Sequence, residues 1–94
     1  MTTDHRIDTC YMEIYRDPTR FNAYYCKVTL GSRGFIGMTD HMYFEPLKKP
    51  FELLLNGPGK NKARKKVQEE LQRQGLEKIV IVEDLSNMKV ITRN

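Results

Sequence analysis

Lys60, Lys62, Arg64, Lys65 and Lys66 put five positive charges and no negative one into seven residues, directly behind Gly57-Pro58-Gly59. These residue types in this order suit anion capture. Glycine lets a backbone approach a ligand closely. A helix start adds unpaired N–H groups and partial positive charge. The chemistry is the holding of phosphates or carboxylates, not the making or breaking of bonds. The 94-residue chain has a formal net charge of +4, and subtracting these five charges leaves the other 87 residues at −1. The sequence is thus a near-neutral chain with one basic segment, which favours an anionic partner.

A helix must present that segment. Residues 60–74 hold no glycine, proline or β-branched run, and Gly75 is placed to cap the end. Ala63, Val67 and Leu71 recur at i, i+4 and i+8 and form a thin apolar stripe. Lys62, Lys65, Lys66 and Arg73 fall on the opposite face with Glu69, and Arg64 lies at the flank. Helix starts favour acids. Each lysine here costs about 0.3–1 kcal/mol before screening. Lys62–Lys66 is a like-charged i, i+4 pair, partly offset by Lys65–Glu69 and Lys66–Glu70. An ordinary solvated helix face is the plain alternative, and the inverted dipole preference weighs against it. An incoming phosphate relieves these terms together. The loop lacks the glycine spacing and the Lys-Ser or Lys-Thr pair of a nucleotide-hydrolysing P-loop. Arg33, Lys48, Lys49 and Arg73 are the expected auxiliary cations.

The order strand, Gly57-Pro58-Gly59, helix, Gly75-Leu76-Glu77, strand resembles the C-terminal half of the ribosomal small-subunit platform protein family. The resemblance covers about 35 residues at most. The helix is two residues longer here, and that family's glycine-rich and basic tail segments are missing. It implies contact between the Gly-Pro-Gly segment and RNA. Arg33-Gly34-Phe35 also matches the opening of the RNA-recognition-motif signature, but Ile36 and Gly37 depart from it, and the element order excludes that fold.

Alternation and turn chemistry supply the remaining elements. Residues 9–16, 21–30 and 35–45 read as strands joined by turns at Asp17–Arg20 and Gly31–Gly34, giving a three-stranded antiparallel meander. Residues 51–55 are too short to type as strand or helical turn. Residues 78–83 and 89–93 read as a C-terminal hairpin about Asp84–Asn87. The expected fold is α+β: an antiparallel sheet of five or six strands on one main helix, forming a single domain over 9–94 behind a flexible polar segment, 1–8. If Cys10 faces Cys26, then Tyr11 faces Tyr25 and Tyr15 faces Phe21. One sheet face then carries Cys10, Met12, Ile14, Tyr24, Cys26, Val28 and Leu30. The other carries Tyr11, Tyr15, Phe21 and Tyr25 among polar residues. Three uses compete for that second face: stacking of unpaired bases, a homodimer interface, or burial under residues 46–56.

Catalytic patterns are missing. His5 and His41 lie at no metal-ligand spacing from a cysteine or from each other. Cys10 and Cys26 are expected to be buried reduced thiols. No stretch reads as a membrane span or a signal peptide. The expectation is a cytoplasmic, non-enzymatic protein without metal or cofactor. It binds RNA or single-stranded nucleic acid, or else docks an acidic protein surface as an inhibitor or adaptor through the same segment, the tyrosine face or an unpaired sheet edge.

Overall fold

The computed structural model describes residues 6–21, 23–37, 41–55, 57, 59–76 and 78–91. It contains β1 (Thr9–Arg16), β2 (Tyr24–Phe35), β3 (Met42–Pro46), β4 (Phe51–Leu55), α1 (Lys60–Arg73), β5 (Val80–Val82) and β6 (Met88–Val90). The α+β class stands. One six-stranded sheet has the order β5-β1-β2-β3-β6, with β4 also paired to β2.

Long β2 organises the sheet. It pairs antiparallel with β1 on one edge, and with β4 and then β3 in tandem on the other. β5 joins β1 and β6 joins β3, both in parallel. β2 therefore runs against all five other strands. The sheet is mixed, not antiparallel throughout, and the expected C-terminal hairpin does not exist. The turn at Asp84–Asn87 is present, with Ser86 N–H donating to Asp84 Oδ1 at 2.8 Å. Its two strands, however, join opposite sides of the sheet. Residues 51–55 are a strand, and β4–α1–β5 forms a crossover between strands of the same direction.

Gly31–Gly34 is not a turn. Both glycines lie within β2 because neighbours crowd them: a Cβ on Gly31 would sit 2.1 Å from the Glu45 carbonyl oxygen, and one on Gly34 would sit 2.8 Å from the Tyr43 hydroxyl. Here glycine marks close approach in a strand. The reversal falls later, where Ile36 N–H donates to the His41 carbonyl at 2.9 Å. The third strand is accordingly Met42–Pro46, and the second starts at Tyr24. Between β1 and β2 the chain makes a wider loop than Asp17–Arg20, closed by Asp17 N–H donating to the Ala23 carbonyl at 2.8 Å.

The β1–β2 register pairs Cys10 with Leu30, Ile14 with Cys26, and Tyr15 with Tyr25. That is displaced by four from a Cys10–Cys26 pairing. An even displacement keeps every side chain on its face, so the core face is the expected one. Cys10, Met12, Cys26, Val28, Leu30 and Leu55 pack with Ala63, Val67 and Leu71 of α1. The core extends to Ile7, and Asp8 Oδ1 accepts from the Arg33 N–H at 3.0 Å, so packing begins before Thr9. Residues 1–5 of the polar N-terminal segment lie outside the described residues.

Both cysteines are free and buried. Burial pushes the Cys10 thiol up to about 12, with a further push from Cys26, and pushes Cys26 up to about 11. Four residues of register separate them along the strands, roughly 13 Å at about 3.3 Å per residue. A disulfide needs Cα atoms within about 7 Å. A thiol-specific chromogenic reagent is therefore expected to label neither cysteine in the native protein and both after denaturation. Rapid labelling of the native chain would contradict this packing.

Candidate anion-binding site

α1 begins without the devices that usually steady a helix. Its N-cap is Gly59, no side chain caps it, and its first turn holds no acid. Gly57 and Gly59 take φ of 95° and 149°, a region other residues rarely enter. Pro58 lies outside the described residues. The first helical bond runs from Ala63 N–H to the Gly59 carbonyl at 3.1 Å. The amides of Lys60, Asn61 and Lys62 thus have no partner among the described residues. At the other end Leu76 N–H donates to the Leu71 carbonyl at 2.8 Å and Gly75 N–H to that of Gln72 at 3.0 Å, closing the helix as its sequence suggests.

The five cations divide into three groups. Arg64 reaches across to Glu83, Nη2 to Oε1 at 2.5 Å. That hydrogen bond, with the charges of Arg64 and Lys60, holds the Glu83 carboxyl below the usual carboxylate range against the opposing effect of desolvation. Lys60 lines a cleft of about 260 Å³ with Met12, Glu13, Ile14 and Glu83. On the opposite flank, Lys66 Nζ donates to the Leu54 backbone carbonyl of β4. Lys62 and Lys65 form neither an ion pair nor a hydrogen bond among the described residues. With Leu55, Lys66 and Glu69 they line a second cleft of about 290 Å³. Glu70 pairs instead with Arg73, one turn on at i, i+3 and 2.7 Å, and neither Lys65–Glu69 nor Lys66–Glu70 forms among the described residues.

The auxiliary cations are spread out. Lys48 and Lys49 are exposed just before β4, whose five residues span about 17 Å to the α1 side at about 3.4 Å each. Arg73 ends α1, thirteen residues from Lys60, or about 20 Å at 1.5 Å per residue. Arg33 sits opposite Phe44, nine residues along β2 from Tyr24 and its partner Leu55, roughly 30 Å from that end of the strand. The structure gathers Lys62, Lys65 and Lys66 along one cleft with Gly59 beside the Lys62 side chain, and leaves Arg33 and Arg73 apart.

Tyr11, Tyr15 and Tyr25 lie on the sheet face away from α1, whereas Tyr24 packs against the core. Tyr15 and Tyr25 are cross-strand partners with ring centroids 5.8 Å apart, and Tyr25 also pairs with Leu54. Tyr15 is 40% exposed, Leu54 49% and Phe21, in the loop, 86%. Tyr11 is drawn aside to an edge contact with buried Phe44, centroids 6.4 Å apart. The neighbouring cross-strand row is Glu13, Lys27, Glu52, two acids to one base. Asp17, accepting from Thr19 and Tyr25, is held ionised below its ordinary range. This face therefore does not extend the positive surface of α1. The pairings of Arg64 and Lys66 join residues remote in sequence, and helical periodicity carries no signal for them.

Among the described residues, no group of three or more His, Cys, Asp or Glu gathers to hold a metal ion. No helix among them is long and apolar enough to cross a membrane. Neither a family model, nor a curated protein, nor a solved structure matches this chain. The likeness around Gly57-Pro58-Gly59 remains a local one.

Proposed function

We propose that this protein binds RNA or another single-stranded nucleic acid through its phosphates at the start of α1, without catalysing a reaction. One observation carries the reading: an acid-free, uncapped helix start where three unpartnered amides adjoin the unpaired Lys62 and Lys65. A phosphate there accepts from N–H groups that otherwise face water, and it neutralises like charges. Lys66 joins when it leaves the Leu54 carbonyl. Lys48 and Lys49 extend the strip along β4. Phosphates carry this contact, so it reads charge and not sequence.

Fluorescence anisotropy with a labelled single-stranded RNA tests it. Affinity is expected to fall with salt, by about 0.7 in log K per log salt for each phosphate contact. Two or three contacts then give a slope of roughly −1.5 to −2. Polyglutamate serves as competitor. If RNA fails to bind at low salt while polyglutamate binds, the site belongs to an acidic protein surface and the nucleic-acid reading fails.

A further inference from the structure

We infer that the outer edge of β4 pairs with the same edge of a second copy of this chain. The observation is independent of the nucleic-acid reading. β4 has β2 on one side and no strand on the other among the described residues. The direction of its backbone groups follows from the ladder. Leu47 N–H donates to the Leu30 carbonyl at 2.9 Å, so even-numbered residues of β2 turn toward the β3–β4 side. Tyr24, Cys26 and Val28 face Leu55, Leu53 and Phe51, and those three turn their N–H and C=O groups to β2. Glu52 and Leu54 therefore turn theirs outward, in agreement with the Leu54 carbonyl receiving Lys66.

An antiparallel pairing of two β4 edges about a twofold axis at Leu53 uses all of these groups. Glu52 of each copy exchanges two hydrogen bonds with Leu54 of the other. On the α1 face, Leu53 meets Leu53 of the second copy and Phe51 meets its Leu55. Phe51 and Leu53 are only partly buried in one chain, because the thin stripe of α1 does not cover them. The same pairing gives the Leu54 carbonyl a backbone N–H in place of the Lys66 ammonium, which turns back to solvent on the α1 face. Backbone direction and apolar pattern select one register, and a register shifted by two residues loses the Glu52–Leu54 exchange. A chain this short gains most from such added burial.

The test is sedimentation of nuclease-treated protein across a wide concentration range, with two variants. Leu54→Pro removes an outward N–H and no ladder bond, at an exposed position where an edge strand tolerates proline. The wild type is expected to dimerise reversibly, and L54P to dissociate about tenfold or more readily with its circular dichroism retained. Leu53→Cys places two thiols face to face at the axis and is expected to give a covalent dimer on mild oxidation. Glu52→Cys, which faces Leu54 and not itself, is expected to give none. A wild type that stays monomeric, a dimer that survives in folded L54P, or L53C that cross-links no better than E52C overturns the inference. So does an edge that pairs with an acidic peptide and not with itself. If L54P fails to fold, the comparison of L53C with E52C decides.

Discussion

Reversing two charges, in K62E/K65E, is expected to weaken binding of single-stranded RNA roughly a hundredfold, about 2.7 kcal/mol. The size follows from counting interactions. Each substitution removes one attraction to a phosphate and adds one repulsion. At contact distance in a water-like medium each such change is worth about 1 kcal/mol, so four of them reach this order after screening. Stability is expected to stay close to that of the wild type. Both side chains are exposed and lie outside the core. A glutamate at position 62, in the first turn, gains about 0.3–1 kcal/mol from the dipole that a lysine opposes and can pair with Lys66, which offsets the like-charged pair that a glutamate at position 65 makes with Glu69. Loss of binding with an unchanged or higher melting temperature is hard to obtain by damaging the fold. Anisotropy titrations and thermal melts on the same sample measure both. Unchanged affinity in the folded variant would falsify the site. Arg64→Glu is a poorer probe, since it also breaks the Glu83 pairing and puts two acids together.

The helix and its cations were legible because their signals are local. Periodicity located Ala63, Val67 and Leu71, and Gly75 marked the end, so the expected helix over 60–74 differs from Lys60–Arg73 by one residue. Alternation likewise separated Cys10, Met12 and Ile14 from Tyr11 and Tyr15, and it did so even with the register displaced by four, since period two ignores even shifts. What escaped was non-local. Nothing near Val80 or Met88 says that each strand runs beside a partner far away in the chain. A glycine pair in a polar stretch reads as a turn when its reason, the backbone of β3 and the ring of Tyr43, comes from elsewhere. At the site, the same limit hid which cations are occupied. Counting charges treats Arg64, Lys65 and Lys66 alike, whereas the fold gives Arg64 a carboxylate and Lys66 a carbonyl.

The two surfaces also carry different charge. α1 holds Lys60, Lys62, Arg64, Lys65, Lys66 and Arg73 against Glu69 and Glu70. That is six positive charges against two negative, a net +4 that equals the formal charge of the whole chain. The tyrosine face thus belongs to a balanced remainder, with Glu13 and Glu52 flanking Lys27. A nucleic acid held on α1 has no electrostatic reason to extend across that face. Stacking on Tyr15 and Tyr25 is accordingly not required for the proposed binding, and a Tyr15→Ala variant separates the two contributions.

Gly31→Ala is expected to destabilise the fold by about 3–5 kcal/mol, as much as a severe core truncation. The added methyl is small, but its neighbour cannot move aside. A Cβ at this position would lie 2.1 Å from the Glu45 carbonyl oxygen, 2.9 Å from its carbon and 3.0 Å from Phe44 Cε1. Two of the three are backbone atoms, so relief requires β3 to part from β2. Separation would weaken the pairing of Gly31 with Pro46 and the bond from Leu47 N–H to the Leu30 carbonyl. It would also loosen Phe44, the largest fully buried side chain among the described residues, and through it the parallel attachment of β6. Domains of this size have about 5–15 kcal/mol in total, so the variant should melt well below the wild type or fail to fold. Gly37→Ala is the matched control. A Cβ there meets nothing within 4 Å, and only its φ of 59° is strained, which costs about 1–2 kcal/mol. Chemical denaturation of the two variants separates crowding from backbone preference. Equal losses would mean that β3 does not lie against Gly31, and that β2 turns within Gly31–Gly34 after all.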